Sequence, residues 1–311
     1  MKKTFYSHGK LLISGEYLVL RGSLALAVST KLGQKMEVDE NELDENILFW
    51  KNYDDKNNVW ADVQFSKDDL LPFRGTLKTI ETDVLETLQK ILYECRKLNP
   101  EFLKTKGSTT ITNYLEFDRS WGLGSSSTLL NNIAQYAEVD AFLLNKKIFR
   151  GSGFDIACAG SSKPIIFKID EEGEVFDTVH FMPPEPEKIF VIHLAKKQNT
   201  REAIENFNVL DSNLVNEIEV ISELTEALLF VDDFEDFMQL LDEHEELMQY
   251  VLQEERIKTK LFPDFTGVVK SLGAWGGDFV LAASNMDPEE TKKYFSQKGF
   301  TTIFNYNDLV L

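Results

Sequence analysis

Ser120-Trp121-Gly122-Leu123-Gly124-Ser125-Ser126-Ser127-Thr128 is the stretch from which the rest of the chain is read. A strand-like run, Thr109 to Phe117, leads into it, and Leu129, Leu130, Ile133, Ala134 and Ala137 mark a helix face beyond it. A polar, glycine-containing turn thus joins strand to helix. Glycine allows positive φ and close backbone approach, and the unpaired N–H groups of a helix's first turn favour an anion. Three serine hydroxyls add donors and a possible Mg²⁺ ligand. The stretch lacks the lysine of a Walker A loop and the spacing of a dinucleotide fingerprint. Taken alone, a serine-rich helix start after a glycine turn reads equally as a cap.

Outward from this turn, the first 70 residues read mostly as strands: Lys10 to Leu20, Leu24 to Thr30, Lys35 to Asp39, Ile47 to Tyr53 and Val59 to Phe65. Leu77, Ile80, Val84, Leu88 and Ile91 then recur at helical spacing within Thr76 to Leu98. Pro164 to Asp170 and Glu174 to Phe181 read as a hairpin, and Pro183-Pro184-Glu185-Pro186 as a linker. A strand at Lys188 to Leu194 precedes two helical segments, one carrying Ile218, Ile221, Leu224 and Leu228, the other Phe237, Leu240, Leu241, Leu247, Met248 and Val251. Strands at Phe279 to Ala283 and Thr301 to Tyr306 flank a helix from Pro288 to Gln297. This mixture, without regular alternation, predicts an α+β protein in two domains, 1–184 and 185–311.

With 311 residues, 43% of them hydrophobic, the chain is long enough to bury a sizeable core. Its 33 Lys and Arg against 52 Asp and Glu give a formal net charge of -19, which disfavours nucleic-acid and membrane-surface binding. An anionic small-molecule substrate requires the few cations to gather in one cleft. Cys95 and Cys158 lie in apolar segments and read as reduced, buried thiols. Residues 1–14 do not read as a signal peptide, and no stretch approaches the ~20 apolar residues of a membrane helix, so the cytoplasm is the expected location.

Three further segments carry chemistry-bearing residues. Gly273-Ala274-Trp275-Gly276-Gly277-Asp278 leads into a strand, where glycines permit close packing against a ligand or against other backbone. Gly151-Ser152-Gly153-Phe154-Asp155-Ile156-Ala157 sets one carboxylate among small and apolar residues, a setting for a base, an orienting group or a helix cap. Lys10 and Glu16 lie in a run that is otherwise strand-like and apolar, costly positions for charges unless paired or used. Elsewhere, Met248 stands where a zincin would place its second histidine after His244, so His244 is expected to pack in the interior. The acidic run from Phe230 to Glu246 is expected to be a solvated helix face.

Taken together and in this order, the segments resemble the GHMP kinase family. Ser7-His8-Gly9-Lys10 through Gly15-Glu16-Tyr17 is similar to the family's first motif, Gly122 to Ser127 to its phosphate loop and Gly273 to Asp278 to its third motif. Within the family, the phosphomevalonate kinase branch is the most similar, and Gln198-Asn199-Thr200 resembles that branch's substrate loop. The resemblance implies a ribosomal-protein S5-type N-terminal domain, a ferredoxin-like C-terminal domain, and ATP with Mg²⁺ as cofactors. It further implies Asp155 and Lys10 as the catalytic pair. Trp121, Gly122, Leu123, Gly124, Ser125, Ser126 and Ser127 are the implied ATP contacts, with Ser126 on the metal. The acceptor would be met by Glu16, Ser152, Lys196, Lys197, Thr200, Arg201, Gly273, Ala274 and Gly276. The implied activity is phosphoryl transfer from ATP to phosphomevalonate or a close relative. Mevalonate or another sugar or alcohol acceptor, and a catalytically weak nucleotide-binding protein, are the alternatives.

The sequence departs from the family pattern at His8, where proline is usual, at Ser127, where alanine is common, and at Trp275, where glycine is expected. An indole at 275 is expected to narrow the cleft. Between Gln135 and Arg150 only Glu138 and Asp140 are available as a further acidic metal ligand.

Overall fold

The computed structural model describes residues 2–41, 45–73, 80–149, 151–171, 173–195, 207 and 213–311. In chain order these form β1 (Lys2–Ser14), a short 3-10 helix (Leu18–Arg21), β2 (Ala25–Asn41), β3 (Ile47–Tyr53), β4 (Val59–Ser66), α1 (Thr82–Leu98) and β5 (Ser108–Leu115). There follow α2 (Ser125–Ala137), α3 (Ala141–Ile148), α4 (Phe154–Ala159), β6 (Ile165–Ile169), β7 (Glu174–Thr178) and β8 (Ile189–His193). The chain continues through α5 (Val215–Phe230), α6 (Phe234–Leu252), α7 (Ile257–Leu261), β9 (Val268–Leu272), β10 (Phe279–Ala283), α8 (Pro288–Gln297), β11 (Ile303–Asn305) and α9 (Tyr306–Leu309).

Two compact units emerge, and neither is continuous in sequence. The first comprises 1–9, 32–119 and 123–160; the second comprises 10–31, 120–122 and 161–311. The expected division after residue 184 falls inside the second unit.

In the first unit the strands run β4-β3-β5-β2, with β3 parallel to β5 and the other pairs antiparallel. Burial along β3 alternates strictly, so Leu48 and Trp50 face the core while Phe49 and Lys51 do not, the period-two pattern of a sheet covered on one side. Met36, Val38, Val63, Phe65 and Ile111 extend that face, and α1 and α2 cover it with Leu85, Leu88, Ile91, Leu92, Leu130, Ile133 and Ala134. β2 was expected as two strands broken near Gly33. It runs through, and Gly33 marks not a break but a close approach: Tyr6 and Ser7 pass so near that no side chain fits there.

In the second unit the order β11-β8-β10-β9 is antiparallel throughout. With helices between β8 and β9 and between β10 and β11, this is the split βαβ arrangement of ferredoxin-like folds. β8, β9 and β10 are buried at every position, which explains the apolar runs of β8 and β10. One core cluster holds Phe190, Ile192, Val269, Val280 and Ala282 against Ile257, Phe262, Phe265 and Phe295. Helix boundaries follow local chemistry: Asp233 caps α6 by accepting from the Glu235 and Asp236 N–H groups, and Asp287 followed by Pro288 opens α8. The apolar run from Lys10 does not remain a strand to Leu20. β1 ends at Ser14, Tyr17 takes φ 59°, and the 3-10 helix begins. A short apolar run fits a strand and a buried helical turn equally, so periodicity could not separate them.

Candidate functional site

The expected site residues divide between the two units. Ser152, Asp155 and Leu123 to Ser127 belong to the first; Lys10, Glu16, Trp121, Gly122 and 273–276 belong to the second. Lys196, Lys197, Thr200 and Arg201, with the whole Gln198-Asn199-Thr200 segment, lie outside the described residues.

In the first unit, α2 starts where the serine-rich turn predicts. Gly124 occupies the N-cap position at φ 92°, in the left-handed region that disfavours any side chain, and among the described residues no side chain caps the helix or places an acid in its first turn. The N–H groups of Ser125, Ser126 and Ser127 have no intrahelical acceptor by geometry and carry the helix's partial positive charge. Ser127 turns back, its hydroxyl donating to Gly124 O at 2.9 Å, whereas Ser126 is exposed. Behind this turn a buried polar network holds the helix. Thr128 donates to Gln34 Oε1 (2.7 Å), Asn132 to Gln34 O (2.9 Å), Asn131 to Ser7 Oγ (2.9 Å) and Ser7 to Asn132 Oδ1 (2.8 Å). The sequence reading missed this network; its signal was the Asn131-Asn132 pair on an otherwise apolar helix face.

Asp155 lies half-buried in the first turn of α4, which begins at Gly153 with φ 96°. α4 packs against α2. Ser152, just before it, is buried.

Glu138 and Asp140 are placed at the wrong end for a shared metal site with Ser126. Glu138 follows the last residue of α2, and a 13-residue helix spans about 20 Å. Asp140 instead caps α3, accepting from the Leu143 N–H at 2.7 Å. Among the described residues no cluster of three or more His, Cys, Asp or Glu could hold a metal ion. The positive end of α2 suits phosphate oxygens and not a cation, so a Mg²⁺ here would be held chiefly by those oxygens, with the exposed Ser126 hydroxyl within its reach as a protein ligand.

In the second unit, Lys10 is half-buried on β1. Trp121 packs against His193, Phe279 and Phe304, with ring centroids 6.0, 6.0 and 5.4 Å away, so its ring is part of an aromatic cluster on the β-sheet. Gly122, at φ 67°, lies against the Asp278 side chain with no room for a Cβ. The segment leading into the phosphate-type turn therefore rests on the end of the 273–278 loop, which joins β9 to β10.

Trp275 does not stand in an opening, contrary to expectation. It is 5% exposed and packs with Leu18, Ile221, Leu224, Met248 and Val251, because the loop turns its indole inward to the apolar sides of α5 and α6. Ala274 is likewise buried, while Gly273 has open space where a side chain would project.

Glu16 is 2% exposed and bonded by the Lys270 ammonium at 2.6 Å, with His244 Nε2 3.1 Å away. Burial alone would push its carboxyl up, but Lys270 and then His244 outweigh it and hold it at about 2. Burial, assisted by Lys270, pushes His244 down while Glu16 pulls it up, and the Gly15 N–H donates to its Nε2 at 3.3 Å. His244 is interior as expected.

Glu245, expected on a solvated face, is fully buried, and burial pushes its carboxyl up to about 8 against the pull of Lys270. The sign of the pH effect follows. The unfolded chain gives up this proton near pH 4.5 and the folded one near 8, so stability falls as pH rises between them. Lys270, Glu16 and Arg256 contribute to the charge around Glu245. Glu245→Gln removes the titration while keeping the shape of the protonated acid. Its Tm advantage over the wild type should widen by about 5 °C or more between pH 5 and pH 8. A gap independent of pH in thermal unfolding would reject this assignment.

No helix among the described residues is long and apolar enough to cross a membrane. No family model matches the chain, and no curated protein matches it in sequence. Solved structures do match. Methanococcus jannaschii mevalonate kinase is 17% identical and aligns over 98% of both chains with a TM-score of 0.71. Streptococcus pneumoniae phosphomevalonate kinase, in complex with phosphomevalonate and AMPPNP, is 16% identical over 97% of this chain and 99% of its own, with a TM-score of 0.69. Lactococcus lactis galactokinase, complexed with galactose, is 13% identical over 97% of this chain and 92% of its own, with a TM-score of 0.68. Along essentially its whole length, the chain has the fold of the GHMP kinases.

Proposed function

We propose that this protein is an ATP-dependent small-molecule kinase of the GHMP type, with phosphomevalonate or a close relative as acceptor. The observation that carries the reading is the uncapped, glycine-turned N-terminus of α2, found within the fold of these kinases. The N–H groups from Leu123 to Ser127 bind the nucleotide's phosphates, and the Ser126 hydroxyl holds Mg²⁺. When bound, Mg²⁺ would supply positive charge to offset that of the nucleotide's phosphates. Asp155 orients the attacking oxygen and takes its proton where it carries one, and the Lys10 ammonium offsets charge that develops on the transferred group. The acceptor oxygen bonds to the γ-phosphorus as the bond to the bridging oxygen breaks, and ADP leaves. An acceptor that already carries a phosphate needs an additional cationic contact, for which Lys196, Lys197, Arg201 and Lys163 are the candidates.

Mevalonate is the second acceptor to test, because a mevalonate kinase and a phosphomevalonate kinase match the fold about equally well. The inward turn of Trp275 removes the steric motive for reading the chain as a nucleotide-binding protein without activity. Purified protein with ATP and Mg²⁺ should release ADP fastest with phosphomevalonate in a screen that also contains mevalonate, homoserine and galactose. Turnover with galactose or homoserine alone would reject the acceptor class. Silence with all four would favour an untested substrate or a binding protein.

A further inference from the structure

Beyond Glu16 and His244, the fully buried ionisable side chains among the described residues of the second unit include Lys270 and Glu245, for which the proposed phosphoryl transfer has no use. All four converge on the end of β9, immediately before the 273–278 loop. β9 is an edge strand of its sheet, so part of its backbone has no neighbouring strand to bond. At Ser271 side chains replace that strand: the N–H donates to Glu245 Oε1 at 3.0 Å, and the C=O accepts from Lys270 Nζ at 2.9 Å. The same ammonium is held by Glu16, 254 residues away in sequence. Past the strand end, the Trp275 N–H donates to the Tyr17 hydroxyl at 2.9 Å.

The loop's own anchor is the buried Trp275 indole, and the backbone on either side of it turns at glycines. Gly273 and Gly276 take φ of 77° and 75°, and glycine loses more conformational freedom on ordering than any other residue. Desolvating a buried ion pair is costly, and an apolar pair of similar volume would stabilise the fold at least as well. Conformational specificity is the return such a pair offers. We propose that the Glu16–Lys270 ion pair, with Glu245 on Ser271 and Tyr17 on Trp275, is a positioning device that fixes the 273–278 loop from behind. Glu16 then acts through the loop and does not touch the acceptor. The catalytic consequence rests on the kinase reading; the structural one does not.

The test is the charge-free double variant Glu16→Gln/Lys270→Met, studied by thermal unfolding, amide hydrogen exchange and steady-state kinetics. Its Tm should stay near the wild-type value, since neither charge is left buried alone. Exchange across 271–278 should rise about tenfold or more while the sheet core keeps its protection. The acceptor KM should rise about tenfold with a smaller change in kcat and ATP KM within about twofold. Native protection of the loop in the double variant, or an increase spread evenly over the whole protein, would overturn the proposal. If the double variant fails to fold, Tyr17→Phe, which removes a single loop anchor, decides: faster exchange confined to the loop supports the device and unchanged exchange overturns it. Localised exchange in a protein that turns over no acceptor would leave the positioning device standing and sink the kinase reading, whereas active enzyme with an unaltered loop would do the reverse.

Discussion

Asp155→Asn should lower kcat by roughly 10² or more with an alcohol acceptor, while ATP affinity stays within about twofold of wild type. Asp155 sits in the first turn of a short helix packed on α2, with the buried Ser152 and a left-handed Gly153 ahead of it. Asparagine keeps its shape and its place in that turn but cannot accept a proton. A phosphate acceptor refines the expectation, because its second pKa is about 6 and at neutral pH most of it arrives already deprotonated. With such an acceptor the loss should deepen as the pH falls below about 6, whereas with an alcohol it should not depend on acceptor ionisation. The competing role is structural. An acid in the first turn of a helix is worth about 0.3–1 kcal/mol through the helix dipole, which predicts a small fall in Tm with kcat intact. ADP-release kinetics, nucleotide titration and thermal unfolding of the same variant separate the two. A destabilised but fully active enzyme would remove Asp155 from the chemistry.

What the sequence made legible was local. The Gly-Ser turn and the recurrence of Leu130, Ile133, Ala134 and Ala137 place α2, and Asp287-Pro288 places the start of α8 at the residue observed. The split arrangement around β8 to β11 came only from the family resemblance, since one of its four strands, β9, was not read as a strand. What stayed hidden depends on partners distant in sequence. Lys270 interrupts the run Val268-Val269-Lys270-Ser271-Leu272, which was therefore not read as a strand, although all five residues are buried there. Glu245 was assigned to a solvated face because its neighbours are acidic. Its helical phase says otherwise, since Phe237, Leu241, His244, Glu245 and Met248 form one buried stripe of α6. The grouping of 10–31 with the C-terminal unit was not readable either: it is made by contacts such as Ser14 with Thr225 and Leu24 with Ser222, which no local pattern announces.

Gly124→Val should cost at least about a hundredfold in ATP affinity, mostly through backbone geometry at the start of α2. Gly124 stands at φ 92° and ψ 41°, and α2 begins at the next residue. A β-branched residue in the left-handed region carries strain of about 1–3 kcal/mol, which the chain relieves by rotating the turn. Rotation redirects the N–H groups of Ser125 to Ser127 away from the position proposed for the phosphates. The helix itself should survive, because Leu130, Ile133 and Ala134 remain in the core and the network of Ser7, Gln34, Thr128, Asn131 and Asn132 holds it from behind. Gly124→Asn separates the two ways a glycine can matter here, since asparagine tolerates the left-handed region far better than valine. If the backbone angle is what counts, the asparagine variant should keep most of the affinity that valine loses. If a phosphate approaches the Cα itself, both should lose it alike. Nucleotide titration of folded variants reads the difference, and wild-type affinity in Gly124→Val would show that the phosphates bind elsewhere.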